Sequence, residues 1–185
     1  MNALIQIETG DRQLLANVAA AMADAVRRSG DWVVCRLGCT QCCIGPFTIT
    51  QLDALRLERG MKELAASDPA RAAAVRARAA EYIATMGEDE DAMDEVACPA
   101  LDPETGACDL YETRPVTCRS FGPATRMGDD RLAACELCYV GVSDDEIERC
   151  AVEVDPESLE ARLVMELDGA GITGSTIVAR VLATA

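Results

Sequence analysis

The chain has 185 residues, half of them hydrophobic, which is enough to bury a core and argues against disorder. Its 32 acidic and 17 basic residues give a formal net charge of −15, which disfavours binding to nucleic acid and to anionic membrane surfaces. It contains no histidine, which removes Cys2His2 fingers, Rieske centres and any Ser-His or Cys-His catalytic pair.

One Trp, three Tyr and two Phe leave Ala, Leu and Val to supply most of the packing, a composition suited to helices. Residues 1–15 hold Glu8, Asp11 and Arg12 and no apolar core of a signal peptide, and no continuous apolar run is long enough to span a membrane. These features predict a cytoplasmic protein in a reducing compartment, where disulfides rarely persist.

In chain order, residues 12–29 read as an amphipathic helix. Asp11 is its expected N-cap, Leu15, Val18, Met22, Ala25 and Val26 its apolar face, and Gly30 its stop. Residues 33–47 break that period. Thr50 and Asp53 have capping-box spacing and open a short helix expected to end near Gly60. Asp68-Pro69 starts another helix, 69–86, whose Arg71, Arg76 and Arg78 read as a solvated face. The acidic stretch 87–95 reads as a solvated connector.

Residues 96–142 lack regular periodicity, and Asp102-Pro103-Glu104-Thr105-Gly106 within them is a turn. Ser143 and Glu146 form a capping box for a short helix reaching Cys150. Asp155-Pro156 opens a helix to about Asp168 with Leu159, Leu163 and Leu167 on one stripe. Gly169 to Gly174 reads as a helix–helix turn and 175–183 as a final helix. The expected architecture is mainly α. It is a single domain, 1–185, with a helical frame around irregular cysteine-rich loops at about 33–140 and flanking helices at 11–29 and 144–183.

The ten cysteines are clustered. The first group is Cys35, Cys39, Cys42 and Cys43. Cys98, Cys108 and Cys118 follow at regular intervals, then the pair Cys135 and Cys138, with Cys150 apart. A metal ion about 2.3 Å from each sulfur needs convergent ligands, which short spacings supply. Neighbours in an extended segment point apart, so Cys42-Cys43 implies either one bystander or two centres. Eight thiolates would fill two four-coordinate sites and leave two over.

Zinc or an oxidised four-iron cluster held by four thiolates carries a formal charge of about −2 and calls for counter-charge. Arg114 and Arg119 flank Cys118 and could supply it, as Arg36 could beside Cys35. Tyr111 and Phe121 read as a roof over the site. No phosphate loop or dinucleotide fingerprint is present, and no side chain reads as catalytic.

The assembled pattern is Cys-x3-Cys-x2-Cys-Cys, then Cys98-Pro99-Ala100-Leu101, Cys108, and Tyr111-Glu112-Thr113-Arg114-Pro115-x-x-Cys118-Arg119-x-Phe121. Over about 35–121 it resembles the YkgJ-type cysteine-cluster family, described as zinc- or iron-chelating and often labelled iron–sulfur. The resemblance implies that Cys35, Cys39, Cys42, Cys43, Cys98, Cys108 and Cys118 are ligands, with Cys135 and Cys138 completing the set. A larger relative, the flagellin lysine N-methylase, uses S-adenosylmethionine and is similar only over the cysteine-rich part.

The expected function is therefore a metal-binding role in storage, electron carriage or assistance to another protein. Its cofactor is an iron–sulfur cluster (4Fe-4S) or zinc. The competing expectation is an iron–sulfur-dependent enzyme related to that methylase.

Overall fold

The computed structural model describes residues 3–86, 96–127 and 131–185, and its fold is mainly α. The chain forms two compact units. Met1–Arg36 with Val116–Gly171 makes the first, and Leu37–Pro115 with Ile172–Ala185 the second. The acidic connector read at 87–95 lies outside the described residues.

The first unit is built on helix α1, Ala3–Ser29. Its buried stripe is Ile7, Leu14, Val18 and Ala25, which packs on α6, Leu159–Gly169, through Leu163 and Leu167. The helix thus begins well before residue 12. Asp11 is a buried residue within it, not its N-cap, and Val26 on the expected face is exposed. Tertiary packing carries the helix through Gly10, where an added Cβ would stand 2.6 Å from Leu163 Cδ2.

Helix α4, Val116–Arg119, follows in this unit. Strand β2, Thr125–Met127, pairs antiparallel with β3, Arg131–Ala133, and parallel with β4, Val152–Glu153. The sequence reading found no strands here because three-residue strands carry too little alternation to register. Helix α5, Asp144–Cys150, begins as expected, with Ser143 N donating to Glu146 Oε2 at 3.3 Å. Helix α6 starts later than Asp155-Pro156 implied. The Asp155 carboxylate caps it from outside, accepting from Leu159 N at 3.0 Å and Glu160 N at 2.8 Å.

The second unit is a layer of three helices: α2, Gln51–Ser67; α3, Pro69–Met86; and α7, Val178–Thr184. Ala72, Val75 and Ala79 of α3 face Val178, Val181 and Leu182 of α7 and Leu57 and Met61 of α2 in one core. The small alanines let the helices approach closely. Thr50 Oγ1 accepts from Asp53 N at 3.2 Å and starts α2, while Asp68 Oδ1 accepts from Arg71 N at 3.0 Å and starts α3.

Helix α2 does not stop near Gly60; it runs on to Ser67. Residues 175–177 are not helical. Strand β5, Ser175–Ile177, pairs antiparallel with β1, Thr48–Thr50, and only then does α7 begin. Both strands are rich in β-branched residues, which favour a pleated pair over a helical turn. The flank 144–183 is therefore three helices interrupted by two strands.

Candidate metal centre

Two loops carry the thiols of the second unit. In the first, Cys43 N donates to Thr40 O at 2.8 Å and winds Gln41–Cys43 into a 3-10 turn. The second lies against it. Gly45 N donates to Val96 O at 2.9 Å, and Cys98 N to Cys43 O at 2.6 Å. The chain then doubles back, with Asp102 N donating to Ala107 O and Asp109 N to Ala100 O, both at 2.8 Å.

Asp102 shapes the expected turn, its carboxylate accepting from Glu104 N at 2.8 Å and Thr105 N at 3.0 Å. Gly106 closes the turn at φ +67°, and a Cβ there would lie 3.2 Å from Gly38 Cα. That close approach seats the loop bearing Cys39 against the turn before Cys108.

The adjacent pair behaves otherwise than an extended segment would. In a 3-10 turn successive side chains are separated by about 120°, and here the Cys42 and Cys43 thiols hydrogen-bond to each other. The Cys43 S–H bond, the Cys42 backbone N–H and the Arg114 charge outweigh burial and bring Cys42 down to about 6. The same bond pushes Cys43 up, reinforced by burial and by Cys42, Cys98 and Cys108. Burial raises Cys98 to about 11 and also raises Cys108. Backbone N–H groups oppose this, from Ala100 onto the Cys98 sulfur and from Leu110 onto the Cys108 sulfur. Cys42, Cys43, Cys98 and Cys108 thus act in one another's field, and Arg114 acts on Cys42 and Cys108.

The surrounding packing holds these loops. Arg78 Nη2 donates to Asp109 Oδ2 at 2.6 Å and Arg78 Nε to Pro99 O at 2.9 Å, while Arg71 pairs with Asp109 Oδ1. The Asp109 side chain is 1% exposed, so α3 clamps the Cys108 segment through a buried carboxylate. Arg71 and Arg78 are therefore anchors, not merely a solvated face, and Arg76 donates to Ala185 O.

Tyr111–Thr113 forms a 3-10 turn against α2. A Cβ on Gly60 would stand 1.9 Å from Thr113 Oγ1, which explains a glycine in mid-helix. Beyond that turn the Arg114 guanidinium lies 3.8 Å over the Tyr111 ring. Tyr111 is half exposed and props Arg114.

The remaining thiols belong to the first unit. Cys35 is exposed, and its sulfur would be 2.6 Å from a Cβ on Gly122, which has φ +112°. Gly122 O accepts from Cys135 N at 3.0 Å, and Cys135 O from Cys138 N at 2.9 Å. Cys135 and Cys138 are buried with Ala124, Tyr139 and Cys150. Cys150 donates to Arg28 O at 3.5 Å. Tyr139 N donates to Trp32 O at 3.0 Å, and its hydroxyl binds Ser29 Oγ at 2.6 Å and Ala124 N at 2.8 Å. Cys118 and Arg119 end α4, and Phe121 is half exposed beyond them.

All ten cysteines are free thiols. Among the described residues no three Cys, Asp or Glu side chains meet as a ready-made ion site. Cys42, Cys43, Cys98 and Cys108 come together with Arg114, while Cys35, Cys118, Cys135 and Cys138 lie in the other unit. The sequence reading took Gly60 for a helix stop and gave no role to Asp109 or Gly122. Only Gly60 left a local sign, as a glycine inside a helical period.

A family model described as "Putative zinc- or iron-chelating domain", named for a CxxCxxCC signature, matches residues 34–140, more than half of the chain. No curated protein and no solved structure matches it. Among the described residues no helix is long and apolar enough to cross a membrane.

Proposed function

We propose, from the premise that the chain belongs to this cysteine-rich chelating family, that its thiolates hold an iron–sulfur cluster in a carrier, storage or accessory role. The observation that carries the reading is the set Cys42, Cys43, Cys98 and Cys108. These are four free thiols in mutual electrostatic range, three of them already receiving backbone N–H groups. Such donors stabilise sulfur in its anionic, ligating form. Arg114 adds a positive charge in a chain that is otherwise strongly acidic.

A single zinc ion at about 2.3 Å from four sulfurs draws them to roughly 3.8 Å from one another. The closely spaced cysteines outnumber what one zinc site needs, which favours a polynuclear cluster. When bound, a cluster would supply one-electron chemistry or structural cross-linking. The chain's part is to exclude water from Cys98 and Cys108, which pack against the three-helix core, and to fix both loops through Asp102 and Asp109.

Anaerobic purification followed by a visible spectrum and metal analysis tests this. A brown protein with iron and acid-labile sulfide is expected. A colourless protein with stoichiometric zinc replaces the cluster by zinc, and a protein with neither metal sinks the reading.

A further inference from the structure

We infer that the chain carries two separate metal centres, one in each compact unit, and that Cys35, Cys118, Cys135 and Cys138 form the second. The inference rests on the proposed chelating role and goes beyond it, because that role needs only one centre.

The thiols divide evenly between the units: Cys39, Cys42, Cys43, Cys98 and Cys108 in one, Cys35, Cys118, Cys135, Cys138 and Cys150 in the other. In the first unit two of these cysteines lie against Gly122. Its bare α-carbon accepts the Cys35 sulfur at a distance no side chain would permit, and its carbonyl holds Cys135 N. Cys135 and Cys138 sit on one hydrogen-bonded turn, the spacing by which a short loop presents two sulfurs to one ion. Cys118 lies in α4, four residues before Gly122.

The segment bearing Cys35 is laced to the turn that follows Cys138 by the bond from Tyr139 N to Trp32 O. Cys150, buried in the same cluster as Cys135 and Cys138, differs in donating its proton to Arg28 O. Four thiols in each unit are thus assigned, and Cys39 and Cys150 are left over. The adjacent pair Cys42-Cys43 is assigned to one centre, because both lie in the unit of Cys98 and Cys108 and the bond from Cys98 N to Cys43 O ties the two loops together.

The test uses the full chain purified anaerobically, with iron, sulfide and zinc counted per chain. Wild type is expected to hold two centres. Cys42→Ser/Cys108→Ser and Cys35→Ser/Cys138→Ser should each retain one. A wild-type protein with a single centre overturns the inference and leaves the chelating role intact; one with none overturns both. Either variant losing all its metal while keeping its helical signal also overturns the inference.

A second readout needs no variant. Cys35 is exposed, so iodoacetamide should alkylate it at least tenfold more slowly in the loaded protein than after metal removal. Equal rates overturn the assignment of Cys35 to a centre.

Discussion

Gly60→Ala is a substitution that a helix would ordinarily welcome, since Ala is favoured over Gly by about 0.8–1.0 kcal/mol in a helix interior. Here the sign should reverse. The new Cβ would lie 1.9 Å from Thr113 Oγ1, 2.8 Å from its Cβ and 3.0 Å from its Cγ2. Thr113 is β-branched and buried, so it cannot swing aside as a long flexible chain would. Overpacking of this kind costs about 1–3 kcal/mol, which after the propensity gain leaves a net loss of roughly 0–2 kcal/mol.

Urea denaturation of Gly60→Ala, Thr113→Ala and the double variant measures it. In the double variant the clash with Oγ1 and Cγ2 disappears, so the two changes should couple favourably by about 1 kcal/mol or more. The displaced turn also carries Arg114, so metal retention should fall in Gly60→Ala and recover in the double variant. A Gly60→Ala protein more stable than wild type, with no coupling to Thr113, would refute the docking argument.

Asp109→Asn removes the charge that Arg71 and Arg78 share; stability should fall by about 1–3 kcal/mol and alkylation of Cys98 and Cys108 should quicken, an unchanged urea midpoint counting against the clamp. Tyr139→Phe strips a partner from Ala124 N and from Ser29 Oγ in the first unit and should cost about 1–3 kcal/mol by thermal or urea unfolding. In the metal-free protein Cys98 holds its proton more tightly folded, near pH 11, than unfolded, near pH 9. That contribution to stability is complete below pH 9 and is lost as the pH rises through 11. A melting temperature flat across that window in wild type and in Cys98→Ala alike would disprove it. Conversely, metal must displace these protons, so chelator competition should show affinity weakening as the pH falls.

The sequence made the local signals plain. Thr50, Asp68 and Ser143 each cap the helix they were expected to open, and Asp102 to Gly106 turns as its residues require. The cysteine spacing grouped the thiols without dividing them between units. What stayed hidden depends on distant partners. Gly10 is tolerated inside α1 because Leu163 lies on it, and Gly60 inside α2 because Thr113 does. Ser175–Ile177 is a strand only because Thr48–Thr50 lies beside it. Asp109 looks like any surface acid until α3 brings two arginines to it.

The three-helix layer beneath Cys98 and Cys108 includes Val178, Val181 and Leu182, the last of its parts to be synthesised. A ribosome therefore delivers these cysteines before the floor they rest on exists. Until α7 arrives their sulfurs lack their full dry backing. Capture of the proposed cofactor there must then wait for α7, and removing that helix should leave a chain that has every proposed ligand of that unit and keeps none of its metal.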